Sequence, residues 1–317
     1  MVNPTSLRLA AILPTLYLKQ FSLTKKHTIM ETQTATAKKG VQRDIYATIT
    51  GKIIGKLHNG IVPWRVSWAA AGLPQNLVTG NEYQSVNRIL LASLGYSRNL
   101  FITSKQLETL DGAILPKERP HVISFFGDAN YDAKADATDI EANPEKKQLL
   151  PYTVFNIAQC KWDAGKTFPE VIPEFDPIPD CVPIKSKDQK QAYYNPLLDF
   201  INLPNEKTFP NKQAFLWAKF HTLMHATGHH SRLNRKDLIQ MSEFGYDAYS
   251  HEELVAEIGA SYLMSHYGVM PEFMPSDEYI AEWIKRFELD HHLIFSAAYQ
   301  AEKAINFLFQ GETANTQ

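Results

Sequence analysis

Apolar residues recur at four-residue steps through Ile45, Ile49, Ile53 and Leu57, which predicts one face of a helix that Asn59-Gly60 stops. Ser85 to Leu94 reads as a second helix closed by Gly95, and Thr103-Ser104-Lys105 opens a short third one to Leu110. The β-branched and aromatic run His121 to Phe126 predicts a strand, as does Tyr152 to Ile157. Between them, residues 128–150 carry no hydrophobic period. Pro169 to Pro183 is proline-rich and extended. Tyr193-Tyr194 and Asp199 to Pro204 suggest a pair of short strands leading into a helix that starts after Pro210-Asn211 and stops at Gly228. Ser231 to Tyr249 reads as loop. Ser250 to Tyr267 predicts a strong helix with Leu254, Ile258 and Leu263 near one face, and Glu278 to Phe309 a last helical stretch broken near Asp290. No internal repeat is present.

This order predicts an α+β chain in two domains. A small α+β domain spans 41–127, a connector 128–150 and a larger domain 151–310, with a disordered extension at 1–40 and a tail at 311–317. The overall net charge of −2 points to no particular partner, but its distribution does. Residues 31–127 carry 11 Lys/Arg against 6 Asp/Glu, a net of +5, whereas the connector carries 3 against 6. Leu7 to Leu18 is apolar but is broken by Pro14, is too short to span a bilayer, and has no signal-peptide cleavage pattern after it. Met30 precedes a polar stretch typical of a flexible start, so no membrane partner is expected. Cys160 and Cys181 form no disulfide framework or metal motif and suit a reducing cytosol, so a cytoplasmic location is expected.

Two stretches carry chemistry. In Ile61-Val62-Pro63-Trp64-Arg65-Val66-Ser67-Trp68, two indoles flank a guanidinium, the combination that stacks on unpaired bases and binds phosphate; otherwise both tryptophans anchor a core. With Tyr83, Asn87, Arg88 and Lys105, these residues (Trp64, Arg65, Trp68) are expected to form an exposed surface for single-stranded DNA.

The second stretch is Phe220-His221-Thr222-Leu223-Met224-His225, in which His221 and His225 lie one above the other on a helix, as a zinc pair does. Zinc-dependent peptidases place a Glu after the first His as general base. Here that position holds Thr222, so no catalytic residue is assigned. A third ligand is required. Ser231 occupies the downstream histidine position of metzincins, and Gly228 turns His229 and His230 away. That leaves the helix carrying Glu253 and Glu257, four apart on one face. Glu253 is expected to ligate and Glu257 to support a ligand from behind; the reverse assignment, or Glu253 merely capping its own helix in Ser250-His251-Glu252-Glu253, stays open.

Several motifs in matching order resemble the ArdC-type antirestriction proteins over about residues 42–310. Ile61 to Arg65, Asn87-Arg88 and Phe125-Phe126-Gly127 resemble that family's N-terminal domain. Val154 to Gln159, Ala226-Thr227-Gly228-His229, Arg232-Leu233-Asn234-Arg235, Glu252 to Ala260, Glu282-Trp283-Ile284 and Ala301 to Ala304 resemble its metallopeptidase-like domain. The resemblance implies a single-stranded-DNA-binding domain joined to a zincin-like one, encoded on a plasmid or other mobile element, with a restriction-system protein as a further partner. The family motif has Glu where Thr222 stands. The leading expectation is therefore a DNA-binding protein whose Zn²⁺ site cleaves poorly or not at all. The alternatives are an active metallopeptidase using another base such as Glu252, and a metal-free interaction module.

Overall fold

The computed structural model of the protein describes residues 44–128, 147–163, 165–169, 177–238, 250–269 and 276–310. The expected extension at 1–40, the tail at 311–317 and most of the 128–150 connector lie outside these residues.

Helix α1 (Ile45–His58) begins where Asp44 accepts a hydrogen bond from the Tyr46 amide, and it buries Ile45, Ile49, Ile53 and Leu57. Helix α2 (Ser85–Ala92) and the short α3 (Ser104–Thr109) complete the helices of the N-terminal half. They pack on a four-stranded sheet ordered β1 (Gln75–Asn76), β2 (Leu100–Ile102), β5 (Lys147–Asn156), β4 (His121–Asp128). The longest ladder is the antiparallel β4–β5 ribbon, registered from His121 opposite Val154 to Asp128 opposite Lys147. The strands therefore run into both ends of the predicted connector, and the N-terminal sheet includes β5, which crosses the boundary expected at residue 150. A small β3 (Ala113–Ile114) and β6 (Cys160–Lys161) pair beside this sheet.

In the C-terminal half, β7 (Ile184–Lys185), β8 (Tyr193–Asn195) and β9 (Phe200–Asn202) form a three-stranded sheet with β9 in the middle. Four helices follow: α4 (Lys212–Thr227), α5 (His251–His266), α6 (Asp277–Leu289) and α7 (Leu293–Gln310). Asn211 caps α4 through the Ala214 amide, and Ser250 caps α5 through the Glu253 amide. Both helices are buried on most sides, so neither shows the sharp amphipathic pattern of a surface helix.

One hydrophobic core joins the halves. It runs from Ile49 and Ile53 through Trp64 and Phe101 to Leu223, Leu254, Trp283 and Ala297. Trp64 stands edge-on to both Trp283 and Phe287, with ring centroids 6.2 and 5.9 Å away. Burying side chains of this size is worth about 1.5–3 kcal/mol each. The α+β architecture is as expected, and its two parts share an interior.

Candidate metal centre

Helices α4 and α5 approach closely because Gly259 has no side chain. A Cβ there would overlap the Met224 thioether and lie 2.8 Å from Met224 Cγ. This contact brings the histidines of α4 against the acidic start of α5. His221 Nε2 lies 3.2 Å from Glu253 Oε2, His225 Nε2 lies 3.3 Å from Glu253 Oε1, and the two Nε2 atoms are 3.2 Å apart. One ligand atom from each of His221, His225 and Glu253 falls within 4.8 Å of the others, and all three residues are buried. The Glu253 carboxylate thus turns toward the histidines, while its amide donates to the Ser250 hydroxyl at 3.2 Å and caps the first turn.

The support behind the histidines comes from Glu252. A carboxylate can only accept, so His225 Nδ1–H donates to Glu252 Oε1 (3.1 Å), and Nε2 is the nitrogen that faces Glu253. Arg235 grips Glu252 with two bonds of 2.8 and 2.7 Å, and also donates to the Met224 carbonyl and Thr227 Oγ1. Arg235 reaches in past Gly228, where a Cβ would sit 2.7 Å from its guanidinium. Burial opposes the Glu252 charge, but Arg235 and His225 together outweigh it and hold the carboxyl down at about 2. Burial likewise opposes charge on Glu253 and on His225. Their mutual attraction wins, so Glu253 falls to about 2 and His225 rises to about 9.

Two buried imidazoles and a buried ionised carboxylate, converging and backed by a carboxylate–histidine pair, fit a divalent cation. Such an ion would supply the charge that the buried set otherwise takes as a proton. His221 Nδ1 is buried without a hydrogen-bond partner among the described residues, so only His225 is held from behind.

Thr222 is 2% exposed. Its hydroxyl donates back into its own helix, toward the carbonyls of Ala218 (2.8 Å) and Lys219 (3.0 Å). Glu252, the alternative base considered from sequence, is fully buried and consumed by Arg235 and His225, so it is a poor proton acceptor.

Three expectations from sequence are corrected here. Glu257 does not back a ligand histidine. It pairs with Arg65 through bonds of 3.0 and 2.8 Å and accepts from Tyr279 Oη at 3.0 Å. Arg65, expected on a DNA surface, is sandwiched between Trp217 (5.0 Å) and Tyr279 (4.9 Å), against the metallopeptidase-like half. Most of the other expected DNA contacts are also internal. Trp64 is 4% and Trp68 6% exposed. Arg88 is buried, pairs with Glu302 at 3.0 Å and lies over the Tyr262 ring. Asn87 clamps Ser124 through bonds of 2.6 and 3.0 Å. Tyr83 is half-buried edge-on to Phe101. Of the seven, only Lys105 is exposed. Both arginines pair with a carboxylate far along the chain, Glu257 for Arg65 and Glu302 for Arg88, which a local reading does not see; Arg88 pairs with the nearby Glu82 as well, at 3.2 Å.

Sequence reasoning misses Arg235 and Glu252 as supports of the site. The available signal is the adjacent Glu252-Glu253 pair together with the second arginine of Arg232-Leu233-Asn234-Arg235. Arg232 serves the same turn differently, pairing with Asp199 and donating to the Ala226 carbonyl at 2.7 Å.

This fold and site define a two-part protein: an N-terminal α+β part packed on a zincin-like part. Residues 43–155 match the N-terminal domain of anti-restriction factor ArdC, and residues 181–300 match a zincin-like metallopeptidase family. The uncharacterized protein y4eC of Sinorhizobium fredii is 30% identical over 287 residues, covering 84% of this chain and 91% of that one. A DNA primase TraC of Escherichia coli is 27% identical over 305 residues, covering 87% of this chain but only 28% of the primase. The crystal structure of the antirestriction ArdC protein from plasmid R388 in its Mn(II)-bound form superposes with a TM-score of 0.66 at 29% identity, covering 86% of this chain and 100% of that one. Its metal-free form gives 0.62, with 84% and 96% coverage. The chain belongs to the ArdC-type antirestriction protein family.

Proposed function

We propose that this protein is a single-stranded-DNA-binding antirestriction factor of a mobile element. In this reading its zincin-like half holds a divalent metal without peptidase turnover. The observation that carries the reading is the buried His221–His225–Glu253 set beside a Thr222 hydroxyl committed to its own helix. The ligand chemistry, two imidazoles and one carboxylate, suits Zn²⁺. The Mn(II) form of the R388 protein supports a divalent ion in this fold.

When bound, the ion would lower the pKa of a water and polarise a carbonyl. Beyond that, the chain's own residues govern the chemistry. Glu252 fixes the His225 tautomer, and Arg235 keeps Glu252 ionised. Thr222 offers no group that takes up a proton at neutral pH. General acid–base help is worth a factor of about 10²–10⁴ in rate, which is the shortfall this chain carries. A restriction-system protein is the further partner this reading implies, and the cytoplasm its place of action. Among the described residues, no helix is long and apolar enough to cross a membrane.

The test is a peptidase assay on casein with the purified, metal-loaded protein, with and without chelator. The expected result is no cleavage above background in either arm. Chelator-sensitive cleavage that disappears in His221→Ala would overturn the reading.

A further inference from the structure

Because most of the expected DNA contacts are internal, a nucleic-acid surface on the N-terminal half has to be built from other residues. One region there gathers cations that outnumber the carboxylate beside them, Glu118. Lys52 and Lys56 sit four apart on α1, so their side chains leave the same face. Both are half-buried. Lys52 Nζ donates to the Val122 carbonyl at 3.1 Å and Lys56 Nζ to the Ser93 carbonyl at 2.7 Å. His121, at the start of β4, lies with Nε2 2.9 Å from Tyr96 Oη. Burial and the charges of Lys52 and Lys56 together push its pKa down.

Two exposed arginines border the same region. The Arg98 carbonyl accepts from Asn156 Nδ2 (2.8 Å), and the Arg119 carbonyl accepts from Gln159 Nε2 (3.0 Å). Asn156 and Gln159 are themselves joined by a 2.8 Å bond. Glu118 is the carboxylate in this set, and its Oε2 accepts from Gln159 Nε2 at 2.8 Å.

Burial holds both lysines below the ordinary ammonium value, and among the described residues neither has a carboxylate to offset it. A desolvated cation without a counter-charge is an unfavourable state that an anion relieves. Each ammonium has three donors and spends one on a carbonyl, which leaves two for the oxygens of an anion. The cations are spread from a helix face to two flanking loops, so they suit a chain of phosphates better than one ion. The half-buried Tyr96 ring beside them suits a stacked base.

We propose that Lys52, Lys56 and His121, flanked by Tyr96, Arg98 and Arg119, form a phosphate-binding site that holds the backbone of single-stranded DNA. The assignment rests on the single-stranded-DNA reading above and names the surface for it.

The test is titration of a labelled oligothymidylate with full-length protein across a range of salt. The proteins compared are wild type, the double variant Lys52→Gln/Lys56→Gln, the exposed double variant Arg98→Gln/Arg119→Gln, and a control, Lys185→Gln/Lys187→Gln, at exposed lysines in and just after β7 of the C-terminal half. Each lost phosphate contact lowers the slope of log affinity against log salt by about 0.7 for a single strand. Both site variants should therefore lose about 1.4 in slope and at least about tenfold in affinity at low salt, with the control unchanged. The arginine variant keeps the test decisive if the lysine variant fails to fold. Wild type that binds with both site variants unchanged overturns this site and leaves the DNA reading standing. Wild type that fails to bind at low salt overturns both. Displacement of the oligonucleotide by inorganic phosphate, substituted for chloride at constant ionic strength, overturns the polymer assignment in favour of a free anion.

Discussion

At the scale of single residues, His225 is held on one side by Glu252 and offers its other nitrogen to Glu253. Removing the Glu252 charge without changing its shape isolates this support. In Glu252→Gln the side-chain amide keeps the packing but loses the carboxylate that fixes the imidazole and pairs with Arg235. Loss of such an outer partner lowers metal affinity by about 10–100-fold. Competition titration with a chromogenic chelator should show that drop, and unchanged affinity would remove Glu252 from the site. The His221, His225 and Glu253 trio is legible in the sequence because helical spacing alone aligns the histidines, and the acidic helix downstream carries carboxylates at the same spacing. The division of labour among Glu252, Glu253 and Glu257 is not legible. It depends on which way α5 is rotated against α4, and that rotation is set by packing around Met224 and Gly259.

At the scale of elements, the site is a product of helix approach. Gly259 faces Met224, both buried between α4 and α5, and the ligand distances follow from that contact. A methyl at Gly259 must push the helices apart or force Met224 off its rotamer. Overpacking of this kind costs about 1–3 kcal/mol. Gly259→Ala should lower the unfolding free energy by that amount in a denaturant titration and also weaken metal binding, because Glu253 moves with α5. A variant with reduced stability and wild-type metal affinity would show that the ligands do not depend on this contact. The helices themselves are readable from capping residues and stop signals. The sequence predicts a strand from Tyr152, yet β5 begins at Lys147, within a stretch whose polar composition resembles a loop. Its pairing with β4 supplies the order that composition does not reveal.

At the scale of the whole molecule, the two halves behave as one body because buried polar contacts accompany the shared core. Arg65 from the N-terminal half pairs with Glu257 from α5, and Arg88 pairs with Glu302 from α7. Sequence suggests these cations for DNA because local composition shows a basic N-terminal half; it does not show neutralisation by carboxylates 192 and 214 positions later, the differences between 257 and 65 and between 302 and 88. Removing one partner of a buried pair leaves the other unpaired, at a cost of about 3–5 kcal/mol. Arg65→Ala should lower the temperature of a single calorimetric transition. Two separate transitions in wild type would contradict a shared core.

His221, His225 and Glu253 converge as a buried set whose chemistry suits a divalent ion. Elemental analysis of protein purified in parallel as wild type and His225→Ala tests it most directly. About one divalent ion per chain in wild type, lost in the variant, is the predicted result; equal metal content in the two proteins would contradict it.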